Sequence, residues 1–196
     1  MKKIVRQEIF SLDGMPISVN MGKADEQGCY LEMLLALKSQ FDAMLSYHSR
    51  VLPIRVDIKV PSYTPDNKLF SDFMRKLRKK IKRKDKAARV GFVWAREMEK
   101  AKRQHYHLVI LLNQHVFNNS AYVIHSCVEP ICEGWEWPKP YTPKNCYYVI
   151  KRGNQESYNT AFHRASYLCK VRGKGYKSKA ANDYGRSHFK EKSEAA

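Results

Sequence analysis

His105-Tyr106-His107 places two imidazoles one residue apart. In a strand, residues two apart point to the same face, so His105 and His107 aim together while Tyr106 points away. Two imidazoles side by side supply half of a metal site. The same pair would also serve as ordinary hydrogen-bonding strand residues, so the neighbours decide. Shortly before stands Trp94-Ala95-Arg96-Glu97-Met98-Glu99. Glu97 and Glu99 alternate onto one face, and an antiparallel return brings one of their carboxylates beside the histidines. Two nitrogens and an oxygen leave open positions for water and phosphate oxygens on a Mn²⁺ or Mg²⁺ ion. Glu97 is the preferred third ligand because it is nearer the regular part of the strand, with Glu99 as the alternative. The same spacing suits solvent-exposed turn carboxylates.

A second chemical element lies further along, in Tyr167-Leu168-Cys169-Lys170. The apolar spacing from Ser157 to Val171 predicts a helix. On it, a tyrosine and a lysine three apart lie on the same side, about 5–6 Å apart at Cβ. A neutral phenol is a poor nucleophile, and a nearby cation and a metal-polarised phosphate would both activate it. His163 and Arg164, one turn earlier, suit phosphate contacts. A core tyrosine beside a solvated lysine would give the same pattern. Tyr158 precedes Tyr167 by about two and a half turns and faces the other side, so one nucleophilic tyrosine is expected.

The charge balance names a class of partner. Thirty-six Lys and Arg against nineteen Asp and Glu give a formal +17 and a pI of about 9.7. A field of that sign attracts polyanions, nucleic acid first among them. Ten of the basic residues fall between Arg75 and Arg89. Arg75, Arg78, Lys79, Lys82 and Arg83 are the candidates for tracking a DNA backbone, and Tyr63, Trp135, Trp137, Tyr141 and Tyr147 for stacking on bases. Five cysteines without paired spacing read as reduced thiols. His125, Cys127 and Cys132 lie close in sequence, but the spacing matches no common zinc pattern. There is no run of membrane-spanning length, and the start carries no signal-peptide core, so a chain that stays in the compartment of its synthesis is expected.

The elements that would position these residues are legible from periodicity. A hairpin about Asp13-Gly14 and a helix over 30–47 open the chain. Ile54, Val56, Ile58 and Val60 alternate with Arg55, Asp57 and Lys59, as in a half-buried strand. A helix opened by Thr64-Pro65-Asp66 follows, with Leu69, Phe70, Phe73, Leu77 and Ile81 as its apolar stripe. Strands over 90–97 and 105–112, a helix around 122–133, a strand over 145–151 and the helix over 157–171 complete the set. From Arg172 onward the composition predicts a tail that is mobile until it meets a partner. Mixed order without regular βα alternation argues for an α+β fold with a central antiparallel sheet flanked by helices. The organisation expected is an N-terminal extension over 1–49, a catalytic domain over 50–172 and a basic tail over 173–196.

Taken jointly and in this order, these motifs resemble the HUH endonucleases that initiate rolling-circle replication. Trp94-Ala95-Arg96-Glu97, His105-Tyr106-His107-Leu108 with Leu111-Leu112-Asn113, and Ala165-Ser166-Tyr167-Leu168-Cys169-Lys170 look more closely like the inovirus-type replication initiators, the YagK/YfjJ-like group of phage and prophage proteins. The resemblance covers about residues 50–172. It implies an RRM-like sandwich in which His105, His107 and Glu97 hold a divalent metal, Tyr167 attacks the scissile phosphate and Lys170 assists. It further implies a single-stranded DNA substrate at an origin hairpin, a 5′-phosphotyrosine link, a free 3′-hydroxyl, and a bacterial host cytoplasm. No phosphate-binding loop of the Walker type is present, so host helicase and polymerase would be separate partners. The rivals are an HUH relaxase or transposase, a non-catalytic nucleic-acid-binding regulator, and a metal-dependent RNase. The last lacks the paired His-x-Thr/Ser motifs of two-histidine phosphodiesterases.

Overall fold

The computed structural model describes residues 3–22, 28–98 and 103–193. Ile4–Val5 (β1) is the first strand, and Ile9–Leu12 (β2) folds back on Met15–Ser18 (β3). The expected hairpin is present, with Asp13 and Gly14 at φ 52° and 79°. Two successive left-handed residues match the twist of the flanking strands, and Asp-Gly accepts that conformation readily. Cys29–Tyr30 (β4) returns to pair with β1 and leads into Leu31–Tyr47 (α1), which buries Met33, Leu34, Leu37, Phe41 and Met44.

The principal sheet has five strands. Arg50–Lys59 (β5), Gly91–Glu97 (β6), His105–Asn113 (β7), Ile150–Lys151 (β8) and Tyr184–Arg186 (β9) lie in the order β8-β5-β7-β6-β9, with every pairing antiparallel. This is the mixed α+β architecture with an antiparallel sheet that the element pattern predicted. Lys68–Lys84 (α2) packs Phe70, Phe73, Leu77 and Ile81 on the face carrying Ile54, Val56, Ile58, Trp94, Tyr106 and Leu108. The other face carries Val51, Val93, Ala95, Val109 and Leu111 and is covered by α1 and by Gln155–Ser166 (α4).

Two covered faces correct the reading of β5 as half-buried. Arg55 and Asp57 are 7% and 8% exposed. A layer of helices covers their side as well, so these polar groups must find partners inside the protein. α2 begins later than the Thr64-Pro65-Asp66 signal, although the Asp66 carboxylate does accept the backbone N–H of Lys68 at 2.9 Å. The helix expected around 122–133 is a π-helical stretch, Tyr122–Val128, continued by Glu129–Glu133 (α3). The strand expected over 145–151 is reduced to β8 plus one bridge between Ile54 and Tyr147. Asn145, at φ 54°, interrupts the extended run.

The helix expected to continue to Val171 ends sooner. α4 stops at Ser166, and Tyr167–Cys169 tightens into a 3₁₀ turn. The chain is held there by Val171, which donates its N–H to the Gly28 carbonyl at 3.0 Å. The ends of the chain therefore belong to the fold more fully than composition suggested. α1 lies beneath the sheet, and residues 184–186, read as part of a mobile tail, close its edge as β9. The Ser187 N–H reaches the Phe92 carbonyl at 2.9 Å, and Ala181 is buried. Among the described residues no helix is long and apolar enough to cross a membrane.

Candidate metal centre

The register of three strands assembles the site. Glu97 is the partner of His105 across β6 and β7, and Asp57 is the partner of His107 across β5 and β7. Cross-strand partners share a face, so all four side chains stand on the side covered by α1 and α4. Oε2 of Glu97 lies 3.1 Å from Nε2 of His107 and 3.6 Å from Nε2 of His105. The donor atoms of Glu97, His105 and His107 all fall within 4.8 Å of one another, so this group could hold a metal ion. Glu99 lies outside the described residues.

Both imidazoles are oriented from behind. Nδ1 of His105 meets the Arg103 carbonyl at 3.2 Å, and a carbonyl can only accept, so Nδ1 carries the proton. Nδ1 of His107 lies 2.7 Å from Oδ1 of Asp57. Asp57 is held in turn by Arg55, Nη2 to Oδ2 at 3.1 Å and Nε to Oδ1 at 3.3 Å. Each histidine thus turns Nε2 toward Glu97, the arrangement in which an outer partner fixes tautomer and ring angle for a metal. The other carboxylate oxygen of Glu97 accepts from Nζ of Lys174 at 2.7 Å, and the Lys174 side chain is wholly buried. Gly173, at φ 80°, packs so closely that an added Cβ would come within 3.1 Å of Oε2 of Glu97.

These neighbours set the ionisation of the site. Burial opposes charge on Glu97, but the facing imidazoles of His105 and His107 and the Lys174 charge outweigh it and hold the carboxyl far below the usual range. Asp57 is lowered in the same manner, burial being overcome by His107 and Arg55. His107 is raised, because its two carboxylate neighbours overcome the desolvation that would neutralise it. Because both flanking carboxylates can only accept, a proton on Nε2 of His107 would bridge to Glu97. Two nitrogens and one carboxylate oxygen, each steadied by an outer partner, fit a divalent cation in place of that proton.

Tyr167 joins this group. Its ring lies edge-on to His107 with centroids 5.5 Å apart. The Arg55 guanidinium carbon lies over the Tyr167 ring at 4.1 Å, and Nζ of Lys170 lies 3.4 Å from its centroid. Lys170 is thus a neighbour of Tyr167, as expected, but it sits against the ring at the end of a 3₁₀ turn, not one α-helical turn away. Tyr158, by contrast, is buried and donates its hydroxyl to Asp42 at 2.8 Å, so of these two tyrosines it is Tyr167 that stands beside the histidines. An open cleft of about 540 Å³ begins at the histidines and is lined by Asp57, Lys59, Arg103, His105, His107 and Tyr141.

The remaining sequence-derived residues are distributed unevenly. His163 bonds to the Ser18 hydroxyl through Nδ1 at 2.8 Å, and Arg164 donates to the Lys144 carbonyl at 2.8 Å; both line a separate polar cleft beside α4. Arg75, Arg78, Lys79, Lys82 and Arg83 lie on α2, against the opposite face of the sheet, and do not meet the metal centre. His125 turns to Glu129 at the surface at 2.8 Å while Cys127 and Cys132 are buried. Sequence reasoning missed Asp57, Arg55 and Lys174. Asp57 and Arg55 were visible as the polar half of an alternating strand, whereas nothing local marks Lys174 among the basic residues after Val171.

A search of curated proteins finds no match to the chain. A family model, the YagK/YfjJ C-terminal domain, matches residues 17–187. That range takes in α1 and β9 as well as the metal centre, in agreement with a sheet whose edge and underside are completed by those two elements. The chain belongs to the YagK/YfjJ C-terminal domain family.

Proposed function

We propose that this protein is a metal-dependent nickase of single-stranded DNA, with Tyr167 as nucleophile. The observation that carries the reading is the grouping of Glu97, His105 and His107 with the Tyr167 ring against His107, where the two histidines open onto a cleft flanked by Lys59 and Arg103. A Mn²⁺ or Mg²⁺ ion held by the Glu/His/His group would polarise the scissile phosphate. Lys59 and Arg103 bind the flanking phosphates, and exposed Tyr141 offers a stacking surface beside Asp57. Arg55 and Lys170 keep positive charge against Tyr167, where a phosphate must approach. The Tyr167 oxygen forms a bond to phosphorus as the bond from phosphorus to the 3′-oxygen breaks. The phenol loses a proton and the 3′-oxygen gains one, so the step consumes no water and can run backwards to rejoin ends.

Such chemistry suits initiation of rolling-circle replication at an origin hairpin, with host helicase and polymerase acting on the freed 3′-hydroxyl. The antiparallel sheet covered by helices on both faces is compatible with the RRM-like sandwich of HUH enzymes. One observation favours a second reading, a non-catalytic nucleic-acid-binding regulator. Lys174 and the Arg55–Asp57–His107 chain satisfy the charges of the site without a metal.

A covalent-adduct experiment separates the two. Labelled single-stranded oligonucleotides, some hairpin-flanked, are incubated with Mn²⁺ or with EDTA and resolved on a denaturing gel. A metal-dependent shifted band that vanishes in Tyr167→Phe is expected. Binding without any adduct on a diverse strand pool would leave the regulator.

A further inference from the structure

The sheet separates the metal centre from the most basic element of the chain. Glu97, His105 and His107 stand on one face, while α2 packs on the face that carries Tyr106. α2 contains nine Lys and Arg against one acidic residue, Asp72. Some of these cations are engaged. Arg75 pairs with Asp72 at 2.9 Å, Lys76 lies over Trp135 at 4.4 Å, and Lys84 lies over Tyr122 at 4.9 Å. Arg78, Lys79, Lys82 and Arg83 are exposed and make no ion pair among the described residues. Spaced three and four apart, they form a stripe along the helix.

A cleft of about 590 Å³ continues the stripe to the sheet edge, lined among others by Arg75, Arg78, Trp94, Arg186 and His188. Gly185 makes this edge possible, since an added Cβ would lie 2.6 Å from the Trp94 indole. Because β9 rests directly on Trp94, His188 shares a rim with the arginines of α2, while the Arg186 guanidinium turns to the other face and donates to the Ser39 hydroxyl of α1 at 2.9 Å.

We infer that the α2 stripe and this cleft form a second nucleic-acid surface, one that takes the backbone of duplex DNA apart from any strand held at the metal centre. The exposed groups of the stripe are cations suited to phosphate. Both aromatic residues of α2, Phe70 and Phe73, are buried, so the helix itself has none of the stacking platforms on which single strands are held, and the aromatics of the adjoining cleft, Phe92, Trp94 and Tyr184, are buried or half-buried. Two of the tyrosines exposed for stacking, Tyr141 and Tyr147, lie instead along β5, bridged to Asp57 and Ile54, and neither of the other two, Tyr63 and Tyr176, is on α2. A straight helix of 17 residues, roughly 25 Å long, presents its cations as a rigid convex row, which suits a duplex of regular phosphate spacing. The inference stands on charge and placement, and it extends the nickase reading by giving the paired arm of a hairpin substrate its own seat.

The test uses the full chain in EDTA, with fluorescence anisotropy on a 20-base-pair DNA duplex, an oligo-dT strand and an RNA duplex of the same sequence. The variant is R78E/K79E/K82E/R83E, with thermal unfolding as the control for folding. Duplex DNA affinity is expected to fall about 30-fold or more and its salt slope by about 3–4, at ~0.9 per lost phosphate contact, while oligo-dT binding falls less than about threefold. Equal losses on duplex and single strand, or unchanged duplex binding, overturn the proposal, as does tighter binding of the RNA duplex by the unaltered protein. If charge reversal prevents folding, R78Q/K79Q/K82Q/R83Q carries the same comparison with a smaller expected loss. Because no metal is present, a failure of the protein to nick DNA leaves these outcomes unaffected.

Discussion

The Asp57 carboxylate lies 2.7 Å from Nδ1 of His107, on the side of the ring away from Glu97. It fixes which nitrogen faces the candidate metal and supports the basicity of that nitrogen. Removal of such an outer partner typically lowers metal affinity 10–100-fold. Asp57→Asn is therefore expected to weaken Mn²⁺ binding by about that factor, measured by titration calorimetry, with little change in secondary structure. Unchanged affinity would show that the imidazole needs no support from β5.

Lys174→Met tests the buried charge on the other oxygen of Glu97. With the lysine side chain wholly buried and Glu97 nearly so, the substitution strands a carboxylate in the interior. Breaking a buried pair in this way costs about 3–5 kcal/mol. The melting temperature should fall steeply in EDTA and recover in part with Mn²⁺, which would supply a replacement positive charge. A variant as stable as the parent in EDTA would mean that Glu97 is solvated or protonated.

The site also fixes the sign of a pH effect. Asp57 and Glu97 are lowered, so their contribution to stability is present above ordinary carboxylate values and is lost as the solution is acidified. His107 is raised above its usual 6.5, so its contribution is complete below that value and is lost as pH climbs through the elevated one. Metal binding must expel the His107 proton and so strengthens over the same rising range. The increase in melting temperature on adding Mn²⁺ should therefore grow from pH 6 to pH 9. A metal-induced increase that is constant with pH, or that shrinks, contradicts a proton on His107 in competition with the metal.

Gly185→Ala tests whether β9 is part of the fold. The new methyl would overlap the Trp94 indole, and overpacking of this kind costs about 1–3 kcal/mol. A lower melting temperature and altered tryptophan fluorescence are expected. An unaffected protein would indicate that residues 184–186 do not rest on β6 in solution.

How much of this was legible in the sequence depends on how local each signal was. The facing of His105 with His107 follows from strand alternation alone, and Glu97 needed only one antiparallel return between neighbouring strands. Asp57 lies fifty residues from His107 in the chain, and its role depends on the register of β5, which alternation does not supply. Its strand looked amphipathic because Arg55, Asp57 and Lys59 are polar, yet the helices over that face turn polarity into internal pairing. Tyr167 and Lys170 were found as neighbours, but their contact is set by a 3₁₀ turn held at Gly28, a constraint from the opposite end of the chain. The basic character of α2 was plain, whereas the sheet face on which it packs was not. Composition alone gave no sign that β9 would complete the sheet, because three residues of an edge strand carry almost no periodic signal.

The pairing of β6 with β7 has a consequence for how such chains can vary. Side chains on adjacent positions of a strand project to opposite faces, so one inserted or deleted residue inside either strand would send every donor beyond it to the wrong side. Glu97 and His105 are exact cross-strand partners, and the residues between them can change in number without moving either. Natural variation in length is thus expected to collect between positions 98 and 104 and to be absent from 91–97 and 105–113. The metal centre acts as a register check on the sheet: an odd shift turns a donor to the wrong face, and an even one carries it about 6.6 Å along the strand, away from the other two.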